Sequence, residues 1–270
     1  MNSGLIYTAI LAEFNPLEPI EPAAVFTFSI WGRQVVISNH MFIVSVAMLF
    51  LMIFIPLAAK KNGLVPKGIR NLVESICVYL REEMARPLLK EQTDNYIGFI
   101  WTVFFFVLSL NLLGMVPSEK IIYLLTGKMN RFGGPATADI YVTGAMAVVV
   151  FFMTHISGIR RQGLRHYLAS LAPKVPWWIM PMIYFLEVVT MFVRPFTLAI
   201  RLFANIIAGH ILLAILIGLI MVFKSYFVAG VSIFSVVSLS LLELLVAFIQ
   251  AYIFTFLSAL YISFAVQTEH

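Results

Sequence analysis

Cysteine, charge and long polar segments are what this sequence is short of. The single cysteine, Cys77, excludes an internal disulfide and any cysteine-built metal site. The five histidines are scattered without metal-ligand spacing, and nothing in the chain calls for a cofactor. Charged residues occupy only 11% of positions, against about 25% in ordinary soluble domains. These absences exclude a soluble globular fold. Apolar residues take the remaining space, at 61% of the chain, and the fold class they imply is all-α and integral to a membrane. A net charge of +5 could mark a nucleic-acid partner in a soluble protein. Here it is accounted for by basic loops on one side of a lipid bilayer, and no nucleic acid is expected.

Taken in order, residues 1–40 are mixed and form an N-terminal segment outside the membrane. Met1 to Leu11 has an apolar patch but no basic region, so it reads as a short interfacial piece rather than a cleavable signal. The first span runs over 41–59, nineteen uncharged residues closed by Lys60 and Lys61. That length crosses a hydrocarbon core of ~30 Å. Residues 60–95 read as a polar loop in which Asn71 to Ala85 carries apolar residues at helical spacing, an interfacial amphipathic helix on the membrane surface. The second span is 96–116, ended by Pro117. Residues 118–138 form a loop rich in glycine, and the third span is 140–156. Arg160, Arg161, Arg165 and Lys174 then sit in a second basic loop, 157–176. With the N-terminus outside, the inside loops hold eleven basic residues and the outside segments four, the arrangement that the positive-inside rule favours.

Two apolar runs follow, at 177–223 and 226–265. Pro181 to Phe223 would be roughly 65 Å long as one helix, about twice the membrane thickness. Each run is therefore either two short spans or one steeply tilted helix. The first run holds two arginines, which cost ~2.5–3.5 kcal/mol each at mid-membrane even on lenient scales. Glu187, Arg194 and Arg201 are spaced by seven and form one polar stripe. Arg194 suits a headgroup-seeking position near a helix end. Arg201 has apolar sequence for many residues on both sides and demands a specific role.

The stretch Arg194-Pro-Phe-Thr-Leu-Ala-Ile-Arg-Leu-Phe-Ala-Asn-Ile-Ile-Ala-Gly-His210 closely resembles the signature of subunit a of F-type ATP synthases, the stator beside the rotating c-ring. Asn15-Pro-Leu-Glu-Pro19, Asn111-Leu-Leu-Gly-Met-Val-Pro117 and Ile249-Gln-Ala-Tyr-Ile-Phe254 extend the resemblance over nearly the whole chain. It implies three roughly transverse helices, the interfacial helix, and a hairpin of two long, tilted helices wrapping the c-ring. It also implies subunit b of the peripheral stalk, the rest of the ATP synthase and membrane lipid as partners.

With the hairpin turn centred on Ser225-Tyr226, Arg201 faces Gln250, His210 faces the neighbourhood of Leu241 to Glu243, and Glu187 falls near Phe264. Glu243 and Gln250 are themselves seven apart on one stripe. Histidine titrates near neutrality, and a carboxylic acid in apolar surroundings can hold its proton there, so this pairing suits a proton relay. An arginine stays protonated. It cannot pass protons on, but it can draw a proton from a rotor carboxylate and keep two aqueous half-channels apart, while an amide such as Gln250 holds it in place. The resemblance implies the same roles. Arg201 matches the essential arginine, Gln250 its glutamine neighbour and Asn205 a polar residue of the channel region. His210 and Glu243 occupy positions that relatives fill with the same two residue types exchanged. Arg194 matches a basic but non-essential position, and Glu187 lines the inner half of the channel.

Other polar residues have simpler readings: Asn111 as a helix-packing residue, Asp139 as a helix cap, His155 as interfacial. A secondary transporter would show internal repeats and broken helices. A membrane enzyme would show a nucleophile or metal cluster, and an antiporter-like respiratory subunit would bury lysines, whereas every lysine here lies in a loop. The expected function is a proton-translocating, non-catalytic subunit that couples ion flow to ATP synthesis. A bacterial inner membrane is preferred, with the mitochondrial inner membrane as the alternative.

Overall fold

A computed structural model describes residues 24–30, 33–59, 68–116, 134–170, 176 and 178–267. The interfacial piece expected at the extreme N-terminus, the Asn15–Pro19 motif and most of the loop after Pro117 lie outside these residues.

Five helices among the described residues are long and apolar enough to cross a membrane. The first span is α1, Asn39–Ala59. The expected loop at 60–95 is instead largely helical. Here α2 (Ile69–Tyr79) passes into a π-helical turn at Leu80–Ala85, then α3 (Arg86–Leu89), a 3₁₀ turn at Lys90–Gln92 and α4 (Thr93–Met115). The charges that suggested a loop are paired along this path, Arg86 with Glu82 and Arg81 with Asp94 at 2.6 Å. The amphipathic stretch is a helix as expected, and α2 buries none of its residues.

The third span, α5, runs over Ile140–Gln162 and absorbs the start of the second expected basic loop. Gly163 turns the chain with φ 79°, a conformation that suits glycine, into α6, Leu164–Ser170. Each of the two long runs is one helix: α7, Met180–Phe223, of 44 residues, and α8, Tyr226–Val266, of 41. Pro195 lies inside α7 without ending it. At ~1.5 Å per residue both are about twice as long as a perpendicular crossing requires. Lys224, at φ 46°, closes α7 with its amide bonded to the Ile220 carbonyl at 3.1 Å.

One element had no counterpart in the expected architecture. Strands β1 (Ala24–Ile30) and β2 (Arg33–Ser38) pair antiparallel as a two-stranded hairpin leading into α1. Its two β-branched and aromatic runs flank Trp31-Gly32, a hairpin signal present in the sequence.

The chain divides into two compact units. Unit 1 comprises Met1–Val46, Leu110–Val142 and Leu202–Ile249, and unit 2 comprises Ala47–Ser109, Thr143–Arg201 and Gln250–His270. In unit 1, Ala138 packs with Ile206, and Ile207 and Ile211 lie against them. The fully buried Asn111 donates from Nδ2 to the Ala247 carbonyl at 3.4 Å, tying α4 to α8 as a packing residue. In unit 2, the Leu88 carbonyl accepts hydrogen bonds from Ser263 (2.7 Å) and Gln267, which anchors the end of α8. Gly158 of α5 leaves room for the Tyr167 ring, since a Cβ there would come within 2.4 Å of it. Gln162 donates to the Ala265 carbonyl at 2.9 Å.

Candidate functional site: two polar pairs on the long helices

In unit 1 the antiparallel pairing of α7 and α8 brings His210 to Glu243, with Nδ1 3.2 Å from Oε1. The contact falls where counting back from the turn put it. The imidazole has two further contacts: Nδ1 bonds the Ile206 carbonyl at 3.1 Å, and the ring reaches the Gly114 backbone. Oε1 of Glu243 is buried, and its 3.2 Å approach to the imidazole lacks the angle of a well-aligned hydrogen bond. Gly209 makes this possible, because a Cβ there would stand 2.9 Å from that same oxygen. Asn205, Gly209 and Glu243 line a cleft of about 210 Å³, together with Leu239, Leu242 and Val246. That volume holds several waters at a site with a carboxylate and an amide to bind them.

In unit 2 the polar stripe of α7 is used differently. Arg194 donates to Glu187 Oε1 at 3.1 Å. Its guanidinium carbon lies 5.5 Å from the Tyr261 ring centre and 5.8 Å from that of Phe264, both on α8. An arginine gains from such aromatic faces as well as from its carboxylate. The adjacent cleft, of about 20 Å³, has room for about one water and is lined by Thr154, His155, Arg194 and Tyr261 among others. His155, read from sequence as interfacial, shares a hydrogen bond of 2.5 Å with the hydroxyl of Tyr167, a phenol whose pKa is pushed up by burial. Glu187, expected near Phe264, is held by Arg194, which itself covers that ring.

Arg201 and Gln250 both fall in unit 2, at the ends of its segments. Gln250 is buried and Arg201 exposed, and among the described residues no hydrogen bond joins them. The facing positions expected from register are thus not joined by a hydrogen bond or ion pair among the described residues.

Sequence reasoning passed over one polar pair. Asp139 does cap α5, accepting from the Tyr141 amide at 2.8 Å through Oδ1. Its other oxygen, Oδ2, lies 3.2 Å from Nδ1 of His40, a side chain that is 1% exposed. The partners are 99 residues apart, so no local spacing could reveal them.

A family model described as ATP synthase A chain matches residues 40–263. The chain belongs to this family. Among curated relatives, ATP synthase subunit a of Myxococcus xanthus is 40% identical over 87% of this chain and 74% of its own length. That of Chloroherpeton thalassium is 36% identical over 95% of this chain and 74% of its own length. The ATP synthase subunit a of an Anaeromyxobacter species is 37% identical, with 53% of its own length covered. Membership makes the chain a proton-translocating membrane component of the ATP synthase complex rather than an enzyme by itself. Bacterial relatives and five apolar helices make it a multi-pass protein of the bacterial inner membrane.

Proposed function

We propose that this chain is the stator that loads and unloads the carboxylates of a c-ring through two aqueous half-channels, with subunit b of the peripheral stalk as a further partner. His210, Glu243 and Asn205 serve the outer half-channel, Glu187 the inner, and Arg201 with Gln250 separates them. The observation that carries this reading is the cleft of unit 1. It has room for water, is lined by Asn205 and Glu243, and borders a titratable histidine. Protons can enter such a site because both side chains can bind and release a proton, histidine near neutral pH.

The exposure of Arg201 fits the same reading. A guanidinium with no hydrogen-bond or ion-pair partner among the described residues, on a helix flanked by exposed Phe196, Ile200 and other apolar side chains, suits an acidic partner arriving on another subunit. Leaving it unpaired in lipid would be costly. A rotor carboxylate loses its proton beside this charge and regains one from the other half-channel. The guanidinium stays charged throughout and so bars a continuous water path. The apolar faces of α7 and α8, exposed at Phe192, Phe196, Leu241, Leu245 and Phe248, supply the greasy contact that a rotating helical ring needs.

The decisive experiment replaces Arg201. In inverted vesicles, Arg201→Gln and Arg201→Ala should abolish coupled ATP synthesis, while passive proton leak through the assembled complex persists or rises. Arg201→Lys should rescue poorly, since an ammonium lacks the planar fork and can lose its proton when desolvated. Normal coupled synthesis in an assembled Arg201→Ala complex would refute the mechanism.

A further inference from the structure

The proton path described above begins, on this chain, at His210 and Glu243, yet unit 1 contains a second histidine–carboxylate pair that this path does not use. His40, the second residue of α1, is 1% exposed and faces Asp139 across 3.2 Å. Asp139 caps α5 through Oδ1, and its other carboxylate oxygen, Oδ2, is the one that faces the imidazole. Two buried polar atoms at this place have no hydrogen bond among the described residues: Nε2 of His40, and Oγ1 of Thr137, two residues before Asp139. Buried polar groups are almost always satisfied by protein or by water, so unpartnered ones beside a titratable pair mark a place that water reaches.

This cluster lies close to the first pair by two independent contacts. Ala138, next to Asp139, packs on Ile206, with Ile207 and Ile211 beside it, and these residues form the turn of α7 that carries His210. Gly114, whose backbone His210 reaches, is so close to Pro135 that a Cβ would stand 3.1 Å from it. The segment from Pro135 to Asp139 thus runs beside the His210 turn. The remaining titratable groups among the described residues of unit 1 are Arg33 on β2, the exposed Tyr141, and Lys224 and Tyr226 at the turn between the long helices.

We propose that His40 and Asp139 form an additional proton-carrying pair, an entry station that exchanges protons with the outer medium and hands them to His210 and Glu243. The idea rests on the reading of His210 and Glu243 as proton carriers. In one transfer Nε2 takes up a proton as Nδ1–H gives its own to Oδ2 of Asp139. The ring and the carboxyl are then both neutral, and no charge is stranded in the interior. In the reverse transfer Asp139 returns its proton to Nδ1 while Nε2 releases one to a water molecule that passes it to the carboxylate of Glu243, and the starting pair is restored.

The test uses variants that keep the packing. Asp139→Asn retains a good cap, because asparagine caps helices as well as aspartate does. His40→Gln retains a hydrogen-bonding amide but cannot titrate. Both should assemble and should lower ATP-driven proton pumping and passive proton flux by about tenfold, less than the ~10²–10⁴ typical of a group in direct proton transfer. The dependence of flux on pH between about 6 and 9 should also flatten, which a merely structural change would not produce. Should the His40 variant fail to assemble, Asp139→Asn decides alone. Wild-type flux and pH profile in assembled Asp139→Asn overturn the proposal. His210→Ala measured in the same vesicles separates the two ideas. If it also leaves flux unchanged, the underlying reading fails; if it alone slows flux, only the entry station does.

Discussion

The two polar pairs on α7 and α8 are built from similar parts and held in opposite ways. In unit 2, Arg194 is fastened by a 3.1 Å hydrogen bond to Glu187 and by two aromatic rings, beside a cleft of about 20 Å³. In unit 1, Glu243 touches His210 at 3.2 Å without a good hydrogen bond, beside a cleft of about 210 Å³. A guanidinium cannot change protonation at physiological pH, so tight packing costs it nothing in function. A relay must be loose enough for each member to gain and lose a proton, and it needs water at hand. The difference teaches that a polar residue in an apolar helix can be there to hold structure or to carry charge, and that the fit around it tells which.

The first way to break the comparison is to spoil the loose pair. His210→Ala or Glu243→Ala should slow proton flux by about 10²-fold, the low end for loss of a proton-transfer group, with assembly intact. Exchanging the two, His210→Glu with Glu243→His, preserves the chemistry and should recover more flux than either single change. Flux by the exchanged variant no better than that of the worse single variant would mean that the two side chains do not act as a unit.

The second attacks the tight pair. Arg194→Ala removes a partly exposed ion pair and a cation–π contact, together worth about 1–2 kcal/mol. The expected result is a lower melting temperature of the purified complex, with ATP synthesis within about twofold of wild type. Arg194→Lys keeps the charge but not the planar stacking, and should lie between. A loss of flux as large as that of His210→Ala, at unchanged stability, would place Arg194 in the proton path and erase the contrast.

How much of this was legible in the sequence follows from where each signal resides. The spans and the pairing of His210 with Glu243 were readable, because helical rise is constant and an antiparallel hairpin couples the two registers once its turn is located. The same arithmetic put Arg201 opposite Gln250, but register sets only which turns face each other and not how exposed each side chain is. Gln250 is buried while Arg201 is exposed. The amphipathic helix expected at Asn71 to Ala85 was legible, but its helical continuation through 86–92 into α4 was hidden because charges in a membrane protein read as loop, whereas here they pair along the helical path. The β-hairpin was present as alternation but was masked by the mixed composition around it. The contact of His40 with Asp139 could not be found by any local pattern, since two helix starts far apart in sequence meet only in the fold.

The last prediction carries the smallest functional effect and tests which side each pair faces. The count of basic residues puts the N-terminus outside, and a single unbroken α7 then carries the chain from inside to outside. Its turn at Lys224 and Ser225 would therefore face the same medium as the starts of α1 and α5, and the loose pair would serve the outer half-channel. Ser225 is exposed and followed by Tyr226 at 98% exposure, so a small substitution there disturbs no packing. In a background with Cys77 replaced by serine, Ser225→Cys should support ATP synthesis within about 20% of normal, since exposed changes away from packing features are close to neutral. An impermeant maleimide should label it in right-side-out vesicles and not in inverted ones. Labelling only from the inside would reverse the assignment. The loose pair would then face the side from which the ring's protons leave, and the tight pair would lie on the side where they enter.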